Sequence, residues 1–376
     1  MEVARTAARL AADSERERRL PDELVAAMTD AGVFRLVVPK AAGGLEEHPA
    51  VLVDVVEKIA RGDGAAGWCA AIGATSGLLA AYLPEATAAE VYGPPKTISG
   101  GVFAPRGRAT PTEGGYRVTG RWPFASGCTH CDWLMGGCVV ECDGELDKLP
   151  SGMPDVRLML APADEVTIHD TWDVMGLRGT GSHDIEMSDL FIPEDRSASM
   201  ISDRPTATGP LYAFPQFGLL AIAIGAVGLG IARGALDDVL AMAGARKPTG
   251  SSRTMAERAA VQAELATSEA SLRAARALLH EAIDDAWKSA AEHGEVPLKE
   301  RASLRLAATH AATTGAEVTG SAYRLGGGTA VYESQSALPR RFRDANVATQ
   351  HMLVSPATNE LAGRILLGLE TDVAQL

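Results

Sequence analysis

A run of about forty residues, "TMAERAAVQAELATSEASLRAARALLHEAIDDAWKSAAEH" at 254–293, holds neither proline nor glycine. Ordinary globular helices run roughly 8–20 residues, so a helix of this length is unusual. Its apolar stripe would lie in water if it stood alone, so it must pack against neighbours. They are supplied by the flanking sequence, which keeps a helical texture from about 212 to 370. There "FGLLAIAIGAVGLGIA" (217–232) is apolar on every side, glycine-rich and followed by Arg233. It falls short of the roughly 18 residues of a membrane span and is expected to be a buried helix.

Residues 2–93 are also expected to be helical. "PDELVAAMTDAGVFRLVVP" opens on Pro21 and two acids, as helix N-termini do, and stops at Gly32. The texture changes near residue 97. From there to about 208, short alternating runs such as "GGYRVTGRWPF", "VRLMLAP" and "SHDIEMSDLFIP" sit between turn signals and read as strands of an antiparallel sheet or barrel. The expected organisation is an N-terminal helical unit over 1–96, a β unit over 97–208 and a helical bundle over 209–376. The fold class is α+β, mostly α. A chain of 376 residues with 46% hydrophobic residues has ample material for that core.

The net charge of −13 argues against a nucleic-acid partner, which needs a basic face. The charged start "MEVARTAARLAADSERERRL" is unlike a signal peptide, so a cytoplasmic protein without structural disulfides is expected.

Three features invite a chemical reading. The stretch "GRWPFASGCTHCDW" (120–133) carries Cys128-x2-Cys131, followed by Cys138-x3-Cys142. Four thiolates could bind zinc, but a second pair on a strand does not make a knuckle, and small buried side chains are the plainer reading. "YRLGGGTAVYESQSALPRRFRDA" (323–345) lacks dinucleotide-fingerprint spacing and reads either as a helix C-cap with a loop or as close backbone approach to a ligand. His351 falls between a helical segment and Ser355-Pro356, which looks like the start of a new helix. A histidine at such a break is placed either for catalysis or for a local structural bond. No G-x-S-x-G or H-E-x-x-H motif occurs, so neither a serine hydrolase nor a zinc protease is supported.

Four stretches together resemble the acyl-CoA dehydrogenase superfamily over essentially the whole chain. They are "GGYRVTGRWPFASGCTHCDWLMGG", "WDVMGLRGTGSHDIEMSDLFIP", "LGGGTAVYESQSALPRRFRDA", and "IGAVGLGIARGALD" paired with the long helix after it. The resemblance implies an N-terminal helical domain, a central antiparallel β barrel, a C-terminal four-helix bundle and a homotetramer formed through that bundle. It also implies a flavin, FAD or FMN. Phe124 would lie against the flavin ring, with Trp122 beside it. Ser126 would direct its hydroxyl or backbone N–H at flavin N5, an atom that changes between acceptor and N–H donor with redox state. Arg253, before the long helix, would reach the pyrophosphate of a neighbouring subunit's flavin, and Gly326 and Gly327 would also touch the cofactor.

The chain departs from the dehydrogenases where their carboxylate base should be. Eight residues past Asp344 stands Met352, next to His351, and no E-G-T follows. Glu264 and Glu269 on the long helix are candidates for a relocated base, which would keep an acyl-CoA dehydrogenase possible. The substitution is similar to another branch, the oxygenase components of two-component flavin monooxygenases. Their reduced flavin comes from a separate reductase and reacts with O2 to a C4a-hydroperoxyflavin, which a histidine near this position helps to form or hold. "GDGAAGWCAAIGATSG" (62–77) and "DTWDVMGLRGTGSHD" (170–184) also resemble that branch. Several members carry a second histidine after the position of Trp68, where this chain has Thr75 and Ser76. The reading favoured is a flavin-dependent monooxygenase of a small aromatic or apolar substrate, with His351 and Ser126 as catalytic residues and Trp122, Phe124, Trp172 and Met352 as walls that exclude water. A flavin-free binding paralogue is the third possibility.

Overall fold

Helices open and close the chain, and strands lie between them. The computed structural model describes residues 2–142, 144–247, 250–374 and 376. The first helices are α1 (Glu2–Glu17), α2 (Asp22–Asp30), α3 (Pro49–Gly62), α4 (Gly64–Ser76) and α5 (Glu85–Tyr92). α2 carries Asp22 and Glu23 in its first turn, where acids oppose the helix dipole, and Gly32 turns the chain beyond it at φ +74°. α4 is almost wholly buried, because its alanines and glycines let α3 and α7 approach closely.

The strands are β1 (Ser99–Thr112), β2 (Gly115–Ala125), β3 (Trp133–Cys142), β4 (Glu145–Leu146), β5 (Val156–Pro162), β6 (Thr167–His169), β7 (His183–Pro193) and β8 (Ser197–Ala198). They form one sheet in the order β6-β7-β2-β1-β3-β5-β8, with β4 on the end of β3. One pair departs from the antiparallel pattern expected: β1 and β3 run parallel. The cause is local. After β2 folds back on β1, residues 126–132 carry the chain across to the free edge of β1, so β3 returns in the direction of β1. The hydrogen-bonded path is open, with β6 and β8 at its ends.

The C-terminal helices are α6 (Pro210–Ala213), α7 (Gln216–Ala243), α8 (Ala259–His293), α9 (Leu298–Gly326), α10 (Leu338–Ala348) and α11 (Ala357–Leu366). α8 is the long helix expected from the sequence. It buries one stripe, Val261, Leu272, Ala275, Leu279, Ile283, Ala286 and Ala290, and packs it chiefly on α9. Each buried Leu or Ile there contributes about 1.5–3 kcal/mol. Most of the rest of its surface is exposed. α7 is longer than the apolar run suggested. Both it and the stretch Gly64–Ala81 are long and apolar enough to cross a membrane, yet both are mostly buried inside the fold.

Candidate active site

The site begins at the junction of α3 and α4. Asp63 caps α4, its carboxylate accepting from Ala66 N at 3.2 Å. Gly64 is small enough for Asp344 of α10 to approach, and the Asp344 carboxylate accepts from Leu177 N at 2.6 Å. Leu177 stands at φ +53°, an uncommon conformation for a bulky residue, and this bond helps to hold it there. Burial raises both acids, Asp63 to about 6 and Asp344 to about 7, and Asp63 pushes Asp344 further up.

The loop around Leu177 is pinned at its other end too. His183 Nδ1 accepts from Thr171 N and Trp172 N, both at 3.2 Å. Trp172 Nε1 donates to Leu177 O at 3.1 Å, and Arg18 pairs with Asp170 at 2.7 Å. Thr180 and Ser182 are thereby fixed against α4.

Opposite them, β2 ends in an irregularity. Its pairing with β7 slips between Trp122 and Ala125, and Phe124 sits at φ +68°. Strict alternation would put Trp122 and Phe124 on one face. The slip separates them. Trp122 is fully buried in the sheet core, where Gly107, Gly120 and Gly136 leave room for its indole and its Nε1 donates to Gly137 O at 2.7 Å. Phe124 is thrown outward, 66% exposed, with its ring edge-on to Trp172 at 6.1 Å. Backbone strain of this kind is typical of functional sites.

Phe124, Trp172, Trp68, Ser126, His351 and Met352 line a mainly apolar cavity of about 490 Å³ between α4, α7, the sheet and the turn after α10. Ser126 belongs to a chain of bonded polar groups in its wall. Trp68 Nε1 donates to Ser126 Oγ at 2.9 Å, Ser126 Oγ lies 2.7 Å from Ser182 Oγ, and Ser182 Oγ lies 2.6 Å from Thr180 Oγ1. Thr180 Oγ1 donates to Leu177 O at 2.8 Å. The Ser126 backbone N–H is taken by Phe124 O at 2.9 Å, which leaves the hydroxyl as the part of this residue free to meet a ligand.

His351 stands at the break that the sequence indicated. It caps the turn Met352–Val354, its Nδ1 accepting from Leu353 N at 3.2 Å. Burial, aided by Arg305, pushes the ring down to about 4. At neutral pH it is therefore uncharged and carries its proton on Nε2. Trp68 contacts it edge-on at 5.6 Å, so one indole touches both His351 and Ser126.

Among the described residues no Asp or Glu lines this cavity. Glu269 pairs with Arg233 at 2.6 Å, and Glu264 lies elsewhere. Arg106 is the one lining side chain among the described residues with a permanent charge.

A second cavity, about 670 Å³, lies between α8, α9 and the turn after α9. Arg246, Arg258, Arg324, Glu264, Gly327 and Thr329 are among its walls. Gly327 ends α9 at φ +52°, and the Gly326 carbonyl accepts from Arg246. Gly327 therefore lines this second cavity, while Gly326 is buried behind it and reaches it only through its bond to Arg246. Arg253 lies on an exposed loop, its backbone bonded to the Ser251 hydroxyl, and among the described residues it lines neither cavity. Three of the four cysteines of this region pack as small apolar groups: burial raises Cys128 to about 11 and Cys138 to about 12, and Cys131 donates to Gly127 O; Cys142, at the end of β3, is exposed.

Comparison with known proteins identifies the family. Residues 2–91 match the acyl-CoA dehydrogenase N-terminal domain and residues 222–356 the C-terminal domain of that family. An indole-3-acetate monooxygenase of Pseudomonas putida is 37% identical, over 94% of this chain and 89% of that one. The flavin-dependent monooxygenase oxygenase subunit HsaA of Mycobacterium tuberculosis is 30% identical, over 90% of this chain and 86% of that one. Among solved structures, XiaF from a Streptomyces species, in complex with FADH2 and glycerol, superposes with a TM-score of 0.89. It is 29% identical, with 99% of this chain and 94% of that one covered.

Proposed function

The chain belongs to the acyl-CoA dehydrogenase superfamily, in its branch of flavin-dependent monooxygenases, and from that premise we propose that it oxygenates a small aromatic substrate in the cavity around Trp68, Ser126 and His351. The observation that carries this reading is a mainly apolar cavity with no carboxylate among the described residues of its lining. An acyl-CoA dehydrogenase needs a carboxylate there to take a proton from the substrate.

The residues present fit a reduced flavin. Phe124 offers an exposed ring held outward by its own backbone, and Ser126 offers a hydroxyl at the cavity wall. When bound, reduced flavin supplies the electrons that activate O2 and passes one oxygen atom to the substrate. The protein's part is position and dryness. Trp68, Trp172 and Leu177, all buried, keep water from the reacting atoms, which suppresses loss of the oxidant as H2O2, while Phe124 and Met352 are more than half exposed. His351, neutral and bonded at Nδ1, presents an N–H donor for a developing negative oxygen. Arg106 suits an acidic tail on the substrate, in keeping with a relative named for indole-3-acetate.

The reductase is a separate protein in this proposal, as the phrase oxygenase subunit in the name of one relative suggests. The arginines of the second cavity, with Gly326 and Gly327, would hold flavin phosphate. The sheet would be the family's barrel, α7 to α10 its four-helix bundle, and the exposed second face of α8 the contact of a homotetramer.

The test supplies chemically reduced FAD or FMN, 18O2 and a panel of indoles, phenols and aryl acetates. One panel member should gain a single 18O atom, with less H2O2 formed than flavin oxidised. If every member leaves all the oxygen as H2O2, and anaerobic acyl-CoA instead bleaches the oxidised flavin, the proposal fails.

A further inference from the structure

The hydroxyl groups behind the cavity have only one consistent arrangement of protons. Thr180 has a single hydroxyl proton, and the Leu177 carbonyl at 2.8 Å can only accept it. The 2.6 Å contact between Thr180 and Ser182 is then made by the proton of Ser182. The 2.7 Å contact between Ser182 and Ser126 must in turn be made by the proton of Ser126. Trp68, which can only donate, takes one lone pair of Ser126. Ser126 has spent its proton and one lone pair and keeps a single lone pair for a ligand. All four side chains line the cavity, and Ser126, Thr180 and Ser182 are buried. The site thus presents an acceptor at this point and no donor.

We propose that Trp68, Thr180 and Ser182 are positioning residues that hold the Ser126 hydroxyl as an acceptor, and that the site thereby selects reduced over oxidised flavin. Reduced flavin carries a hydrogen on N5 and can donate to Ser126. Oxidised flavin has only a lone pair there and meets the lone pair of Ser126. This inference rests on the flavin reading of the cavity. It goes beyond that reading by giving the protein a means of taking reduced flavin and releasing the oxidised form, and by assigning it to residues that need not touch the flavin.

The test is a pair of dissociation constants, for reduced flavin under anaerobic conditions and for oxidised flavin, measured by fluorescence quenching on each variant. The wild-type protein should bind the reduced form at least about ten-fold tighter, the scale of one hydrogen bond made or opposed. Ser182→Ala frees the Ser126 proton to turn toward the cavity. Its affinity for oxidised flavin should rise and the preference should shrink about ten-fold. Thr180→Val should act in the same direction, and Thr180→Ser should restore the wild-type ratio. A cavity that merely collapsed would weaken both forms together, so the ratio separates positioning from damage. The inference is overturned if Ser182→Ala and Thr180→Val leave the ratio as it is or lower both affinities equally. A wild-type protein that binds neither form would instead sink the flavin reading itself.

Discussion

The two cavities are of comparable size, about 490 and about 670 Å³, but their polar atoms live under different rules. Around Trp68 and Ser126 polar groups are few, and the central ones are bonded to one another and uncharged at neutral pH. Between α8 and α9 three arginines and Glu264 surround an opening to solvent, with Arg324 and Glu264 3.9 Å apart. Low dielectric makes the direction of each hydrogen bond decisive in the first cavity. Water and salt screen the second, whose lining polar groups include three arginines and Glu264. The lesson is that volume does not tell chemistry from anchoring. The state of the polar groups does.

Breaking the first cavity should have the largest effect. His351→Ala should lower product formed per flavin oxidised by about 10²-fold, the scale of a lost proton donor, with H2O2 rising to match. Product and peroxide measured on the same sample decide this, and unchanged coupling would remove His351 from the chemistry. Because the ring stays neutral down to about 4, wild-type coupling should also show no titration of His351 between pH 5.5 and 8.

The second cavity should respond more weakly and differently. Arg258→Ala or Arg324→Ala should weaken reduced-flavin binding about ten-fold at low ionic strength, and the deficit should shrink toward 0.5 M salt. Titration at two salt concentrations reads this, and a salt-independent loss would show that the cavity does not act through charge.

The smallest effect concerns the support of the dry site. Asp344 has a raised pKa in the folded protein, about 7, so the folded state holds more protons than the unfolded one between about pH 4 and 7. Stability from this group is therefore present at low pH and lost as pH rises through that window. Asp344→Asn keeps an oxygen for Leu177 N but removes the titration. Its Tm should change less between pH 5 and 8 than that of the wild-type protein, by roughly 2–4 °C in a thermal melt. His351 acts with the opposite sign, its lowered pKa withdrawing stability as pH falls from about 6.5 toward 4.

Much of this was legible in the sequence, for reasons tied to particular residues. The run at 254–293 gave α8 because periodicity and the lack of breakers are local properties. His351 was found at a helix break because Ser355-Pro356 marks one. Phe124 and Ser126 were found through the stretch that contains them, and both line the apolar cavity. The resemblance groups Trp122 with Phe124, and strand alternation would also put residues two apart on one face. The slip in β2 and the positive φ of Phe124 undo that rule, and neither has a signature in the residue types. Trp68 was noticed only as part of a resembling stretch. Ser182 opens an expected strand and Thr180 lies just before it, and nothing in the sequence ties either to residue 126.

The sequence by itself determined which segments are helices and strands, their order, and the residue types available for chemistry. Those follow from spacing along one short stretch of chain. Only the tertiary structure decided that Trp68, Ser126 and Ser182 meet, that no carboxylate of the described residues joins them, and which partners surround the Ser126 hydroxyl. Each of these is a contact between residues far apart in the chain, and a hydroxyl's direction is set by every partner around it at once.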